Sequence, residues 1–318
     1  STGPGPVLNR DLEFLTSNKD PRFATPTPEM LESVTPEGFR KVWEPLLAQG
    51  DIEVLVFGEF DQDAIIEKLR LTFGALPARA PIAPAVAARI PTFPVPDAKP
   101  AVLTHRGDAD QAAAAIVWPS GAGIARIRES RQLEILVQIF SNRLLEAMRE
   151  RAGASYAPQA FSDWPSDING GGKIVALAQL KPEFVPVFFA EAQKIADDLA
   201  TTEPSLDEIS RVTEPLGQRV RRASTGNQFW LFNLEGASND PQRIEYLRSL
   251  LVDYSQTTPT IMKYLAARYF GDSIPLKLAV IPEGQELAER LGSATSSAAR
   301  ARAGATAAPV SAGQTLGR

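Results

Sequence analysis

Two hydrogen-bond donors seven residues apart carry most of the chemistry this sequence offers: Arg149, on the last turn of an amphipathic helix, and Tyr156, beyond a glycine turn on the next strand. They lie in the stretch NRLLEAMRERAGASYAP, residues 142–158. A guanidinium held by a helix end and a phenol on the following strand can point into one cleft. Both suit an oxygen that gains negative charge during acyl transfer. The same residues also have plainer readings. Arg149 can relieve the negative end of its helix among Glu146, Glu150 and Arg151, and Tyr156 can be a half-buried strand aromatic. Arg151 is the other arginine at hand, without the seven-residue offset.

No partner chemistry is evident elsewhere. The chain has one histidine, His105, no cysteine, and neither a His-x-x-Glu-His nor a His-Glu-x-x-His run, so a zinc site or a histidine-based triad within these 318 residues is not expected. His105 falls in a predicted strand with no second ligand at metal spacing and reads as structural or surface. Phe161 and Trp164 could floor a peptide chamber, but packing is the simpler role. The glycines of residues 169–172 precede a strand and not a helix N-terminus, which argues against a phosphate loop. A net charge of -5 and pI near 5.2 provide no basic face for nucleic acid, and the Arg219–Arg222 run reads as a solvated helix side. No apolar run approaches the roughly 18 residues of a membrane span. The absence of cysteine suits an exported or a cytosolic protein equally.

The elements that must position these residues follow from periodicity. Residues 36–48 predict a helix, 52–57 a β-branched strand, and Asp61 caps a further helix that stops at Gly74 and Pro77. The pattern recurs downstream: a helix through Ile261, Leu265 and Tyr269, the pair Gly271-Asp272, a strand at 276–281, Gly284, and a helix over 287–291. From Gly50 to Gly271 is 221 residues, which suggests two copies of one module, the first of them incomplete. Within the second copy, strands at 102–106 and 112–118 predict an opening hairpin. A long helix spans 126–152, strands span 155–163 and 173–180, and helices are expected at 182–200, 206–222, 228–237 and 241–251. This order describes an α+β fold, a mostly antiparallel sheet with helices packed on one face. The expected divisions are residues 1–80, the end of a first module; 81–98, a proline- and alanine-rich linker; 99–292, a nearly complete second module; and 293–318, a low-complexity tail.

Three stretches carry a resemblance: DIEVLVFGEFDQDAIIEKLRLTFGALPAR (residues 51–79), the Arg149/Tyr156 segment, and the closing strand at 276–282. In order and separation they resemble the C-terminal part of a family M16 metallopeptidase, the group of insulin-degrading enzyme, pitrilysin and the mitochondrial processing peptidase. The resemblance implies paired halves of two α+β modules each, closing around a peptide. One half carries zinc on a His-x-x-Glu-His helix; the other lacks zinc ligands and lends an Arg and a Tyr, here Arg149 and Tyr156. The Tyr hydroxyl is expected to hydrogen-bond the carbonyl oxygen under attack, and the Arg to hold nearby substrate backbone. This chain is then expected to be inactive alone, with zinc in a partner half on the same polypeptide or a separate subunit. The alternative is a structural module that cleaves nothing, like the core subunits of respiratory complexes. The resemblance favours a periplasmic setting, while composition leaves a cytoplasmic one open.

Overall fold

A strand that is apolar on both faces belongs inside a sheet, and Leu276–Pro282 is placed there. The computed structural model describes residues 3–82, 90–97, 99–152 and 157–287. Its elements are α1 (Pro4–Thr16), α2 (Pro28–Glu32), α3 (Pro36–Leu47), α4 (Gln62–Leu71), β1 (Ala101–His105), β2 (Ala112–Pro119), α5 (Ile127–Ala152), β3 (Gln159–Asp163), β4 (Lys173–Leu180), α6 (Val185–Thr201), α7 (Leu206–Ala223), α8 (Asn227–Asn233), α9 (Gln242–Ser255), α10 (Pro259–Ala266) and β5 (Leu276–Pro282). The sheet order is β1-β5-β2-β4-β3. Only β1 and β5 run parallel; the other pairs are antiparallel.

The expected hairpin of β1 and β2 does not form, because β5 lies between them. Leu278 and Val280 are buried on one face of β5, Ala279 and Ile281 on the other, so this strand needs a neighbour on both edges. The connection from β1 to β2 passes over its end, and His105 fixes it. The buried imidazole donates from Nε2 to the Gln111 carbonyl (2.7 Å) and accepts at Nδ1 from the Gly107 amide (3.0 Å).

One sheet face carries the main core. The expected stripe of α5, from Leu133 through Phe140 to Met148, is buried against β2 and β4 together with α6 and α10. At its centre Trp118 meets Phe140 (5.7 Å) and Phe270 (5.0 Å) edge-on, the geometry that aromatic quadrupoles favour. The opposite face is covered by α1, an element that periodicity left unassigned: Val7, Leu8 and Leu12 pack on Ala113, Val117, Val175 and Val280. Lys173 locks α1 to the sheet edge, its ammonium lying 2.9 Å from Glu13 and 2.7 Å from Asp163. Burial would push this lysine down, but the two carboxylates outweigh it and hold its pKa above the usual value.

Other boundaries shift modestly. The helix expected at 228–237 ends at Asn233, and β3 begins at Gln159. Leu287 is not helical, and the remainder of the closing helix expected there lies outside the described residues. Residues 52–57 are not in a sheet: the strand expected there pairs with nothing among the described residues, and only an isolated bridge, Gln49 to Ala80, flanks it. Its sequence has strand character, but no neighbouring strand is available to complete a ladder.

Candidate functional site

The long helix α5 is buried over most of its girth and keeps one side in solvent. Glu134, Gln138, Asn142, Glu146, Arg149 and Glu150 are exposed along it, with Leu145 half-buried. Gln138 and Arg149 are 11 residues apart, hence only about 20° apart around the helix and roughly 16 Å along it. Two hollows flank this side. One, about 360 Å³, lies between α5 and β3 and is bordered by Ser130, Glu134, Gln138, Phe161 and Trp164. The other, about 270 Å³, lies between α5 and α7 and is bordered by Asn142, Arg211 and Arg219.

Arg149 stands at the end of this side with its side chain exposed and makes no hydrogen bond or ion pair among the described residues. Its neighbour Met148 is fully buried, which fixes the helix rotation and keeps Arg149 outward. Tyr156 and residues 153–155 lie outside the described residues, so the Arg149/Tyr156 pairing rests on sequence spacing. Downstream, β3 is an edge strand that, among the described residues, pairs with β4 alone. It is tied to α5 where the Ala160 amide donates to Ser141 Oγ (3.1 Å).

The two aromatics considered for a chamber floor behave differently. Phe161 is 44% exposed on the edge strand. Trp164 is half-buried: its Nε1 donates to the Gly123 carbonyl (3.1 Å), and the Arg126 guanidinium stacks on it at 5.3 Å. Beneath it, two loops are pressed together. A Cβ on Gly172 would sit 1.9 Å from the Gly121 carbonyl oxygen, so the glycine run serves close backbone approach.

Two tyrosines engage carboxylates of α5 near these hollows. Tyr254 donates to Glu134 (2.8 Å), and burial, then the nearby carboxylate, raise its pKa. At the head of α5, Tyr269 donates to Glu129 and accepts from Arg126 (3.1 Å); burial first, then Glu129, push its pKa up to about 12. These phenols are braces and not proton donors at neutral pH. Arg219, Arg221 and Arg222 are exposed on α7, as expected of a solvated side.

Zinc does not fit the described residues. His105, the only histidine, has both nitrogens engaged in its turn. No group of three or more His, Cys, Asp or Glu could hold a metal among the described residues. Nor is any helix among them long and apolar enough to cross a membrane.

Comparison with known proteins adds the following. The family described as "Peptidase M16 inactive domain" matches residues 33–216. No curated protein matches the chain. Among solved structures, a conserved protein from Enterococcus faecalis superposes with a TM-score of 0.68 at 14% identity, over 88% of this chain and 64% of that one. A peptidase M16 inactive domain from Pseudomonas fluorescens gives 0.67 at 13% identity, over 89% of this chain and 67% of that one. The ferredoxin protease FusC, solved in complex with Arabidopsis ferredoxin, gives 0.65 at 12% identity, over 89% of this chain but only 30% of that one. The chain therefore spans less than two thirds of the first of these and under a third of the protease.

Proposed function

Because the chain belongs to the peptidase M16 inactive-domain family, we propose that it is the half of an M16-type peptidase that lends Arg149 and Tyr156 to a zinc-bearing half and does not hydrolyse peptides alone. The single observation that carries this reading is Arg149, outward and without a partner among the described residues at the end of the solvent-facing side of α5, in a domain of this family. Arg149 would donate to a backbone carbonyl of a peptide lying along that side. Its planar donors suit oxygen acceptors, and no carboxylate among the described residues pairs with it. Tyr156 would donate its hydroxyl to the scissile carbonyl oxygen as charge builds there, a contact that strengthens in the transition state and so raises turnover more than binding. The zinc of the partner half supplies the activated water when bound. FusC is named a protease, and the part of it that this chain matches is 30% of its length, which leaves room there for a zinc-bearing half.

The test is made in the assembly with the zinc-bearing half. Tyr156→Phe is expected to lower kcat about 10²-fold with KM little changed, the loss of one oxyanion donor. Unchanged turnover would remove Tyr156 from the reaction and leave the chain an enclosing, structural role.

A further inference from the structure

Asparagine is a chemically labile side chain, and it is most exposed to attack where a glycine follows it, because no Cβ then shields the next backbone nitrogen. The chain has one such pair, Asn169-Gly170, in the loop from β3 to β4. This loop is pinned at both ends. The Gly123 and Ile124 amides donate to the carbonyls of Pro165 (2.7 Å) and Ser166 (2.9 Å), and the Ser120 amide donates to the Gly172 carbonyl (2.8 Å). Between these anchors, residues 167–171 make no backbone hydrogen bond among the described residues. The Asn169 carboxamide is exposed and likewise has no hydrogen-bond partner among them. Other asparagines are guarded. Asn18 is also exposed, but its neighbour Lys19 carries a side chain and donates its amide to the Phe14 carbonyl (2.9 Å). After Asn239, the Asp240 amide is bound to the Gly236 carbonyl (3.0 Å).

We propose that Asn169 is a self-modification site in the folded chain: the Gly170 nitrogen attacks Asn169 Cγ and closes a succinimide, which water opens to aspartate or isoaspartate. In the first step the bond from the Gly170 nitrogen to Cγ forms and the bond from Cγ to Nδ2 breaks. Gly170 gives up its amide proton, and Nδ2 leaves as ammonia. In the second step water adds to one of the two ring carbonyls, and the bond from that carbon to the Gly170 nitrogen breaks. The nitrogen takes a proton back, and a carboxylate is left on the carbon that water attacked. Attack at Cγ gives an ordinary aspartate. Attack at the main-chain carbonyl gives isoaspartate, whose chain runs through Cγ and is one atom longer.

The loop has no slack for that extra atom. A Cβ on Gly170 would lie 2.2 Å from Ile90 Cγ2, and one on Gly123 would lie 2.4 Å from Asn169 Oδ1. The longer link therefore displaces Ile90 or the turn at residues 120–123. That turn supplies the Gly123 carbonyl on which Trp164 Nε1 is seated, so the change reaches the hollow between α5 and β3. Aspartate adds a charge at an exposed position and keeps the backbone path. The proposal does not depend on Arg149, Tyr156 or a zinc-bearing half, so failure of the catalytic reading would leave it standing.

The chain and a synthetic peptide of residues 166–173 are incubated in neutral buffer at physiological temperature, and digests are followed by mass spectrometry for exchange of an amide nitrogen for oxygen. Asn169 should convert in the folded chain within about tenfold of its rate in the peptide, and at least about tenfold faster than Asn18 or Asn239. An isoaspartyl methyltransferase, used as a reagent, should label residue 169. The incubated chain should melt at a lower Tm than the fresh one. Asn169→Gln, whose longer side chain closes a ring more slowly, should keep its Tm through the same incubation. Conversion more than about tenfold slower in the folded chain than in the peptide overturns the proposal, since the fold then protects the site. Conversion at Asn18 as fast as at Asn169 overturns it too, as does a product in which the methyltransferase finds no isoaspartate at residue 169.

Discussion

Arg149 has value as a donor because nothing in the described chain holds it, whereas Lys173, equally cationic, is fixed by Asp163 and Glu13. The distinction yields a prediction. Arg149→Ala should change the stability of the isolated chain by less than about 0.5 kcal/mol, since an exposed side chain without partners contributes little to folding. In the assembly with the zinc-bearing half it should raise KM more than it lowers kcat, if its work is to hold peptide backbone. Chemical denaturation and steady-state kinetics give the two readouts. The Arg149/Tyr156 spacing was legible because residue types and offsets are written in the chain. The exposure of Arg149 was not, since it depends on Met148 filling a core that α6 and the sheet complete. For the same reason Phe161 and Trp164, read together from sequence, part company in the fold.

At the scale of elements, helices carry the site and one contact ties two of them. Glu208 closes a capping box with Ser205 at the start of α7 and also receives Arg143 of α5 at 2.7 Å. The hydrogen bond from Arg143, against a smaller opposing effect of burial, holds the Glu208 carboxyl below its ordinary pKa. Its contribution to stability is thus present above the unfolded value of about 4.3 and is lost as pH falls through the lowered folded value. Glu208→Gln should accordingly melt below the unaltered chain at neutral pH, and the gap should close in acid; a series of thermal melts from pH 7 to pH 3 checks it. The helices were readable because a 3.6-residue period and capping residues are local signals. Strand partners were less so. His105, Gly107 and Gln111 make a turn that looks like a hairpin in sequence, yet β5, from the far end of the chain, takes the place between β1 and β2.

In the whole molecule, a sheet coated on both faces is joined to a segment that is hardly coated at all. The second face depends on α1. Leu8→Asp would set a carboxylate in the apolar layer with Val117 and Val280, and is expected to destabilise the chain by about 3 kcal/mol and raise binding of a hydrophobic dye; urea denaturation and dye fluorescence measure both. The sequence by itself determined the α+β class, most helices and the absence of a zinc motif, because composition, periodicity and spacing are properties of neighbours along the chain. Only the tertiary structure decided that β5 is central, that α1 covers the free face, that Arg149 stands outward and that residues 52–57 pair with no strand among the described residues. Each of those depends on which distant segments meet, and burial and hydrogen bonding are settled there.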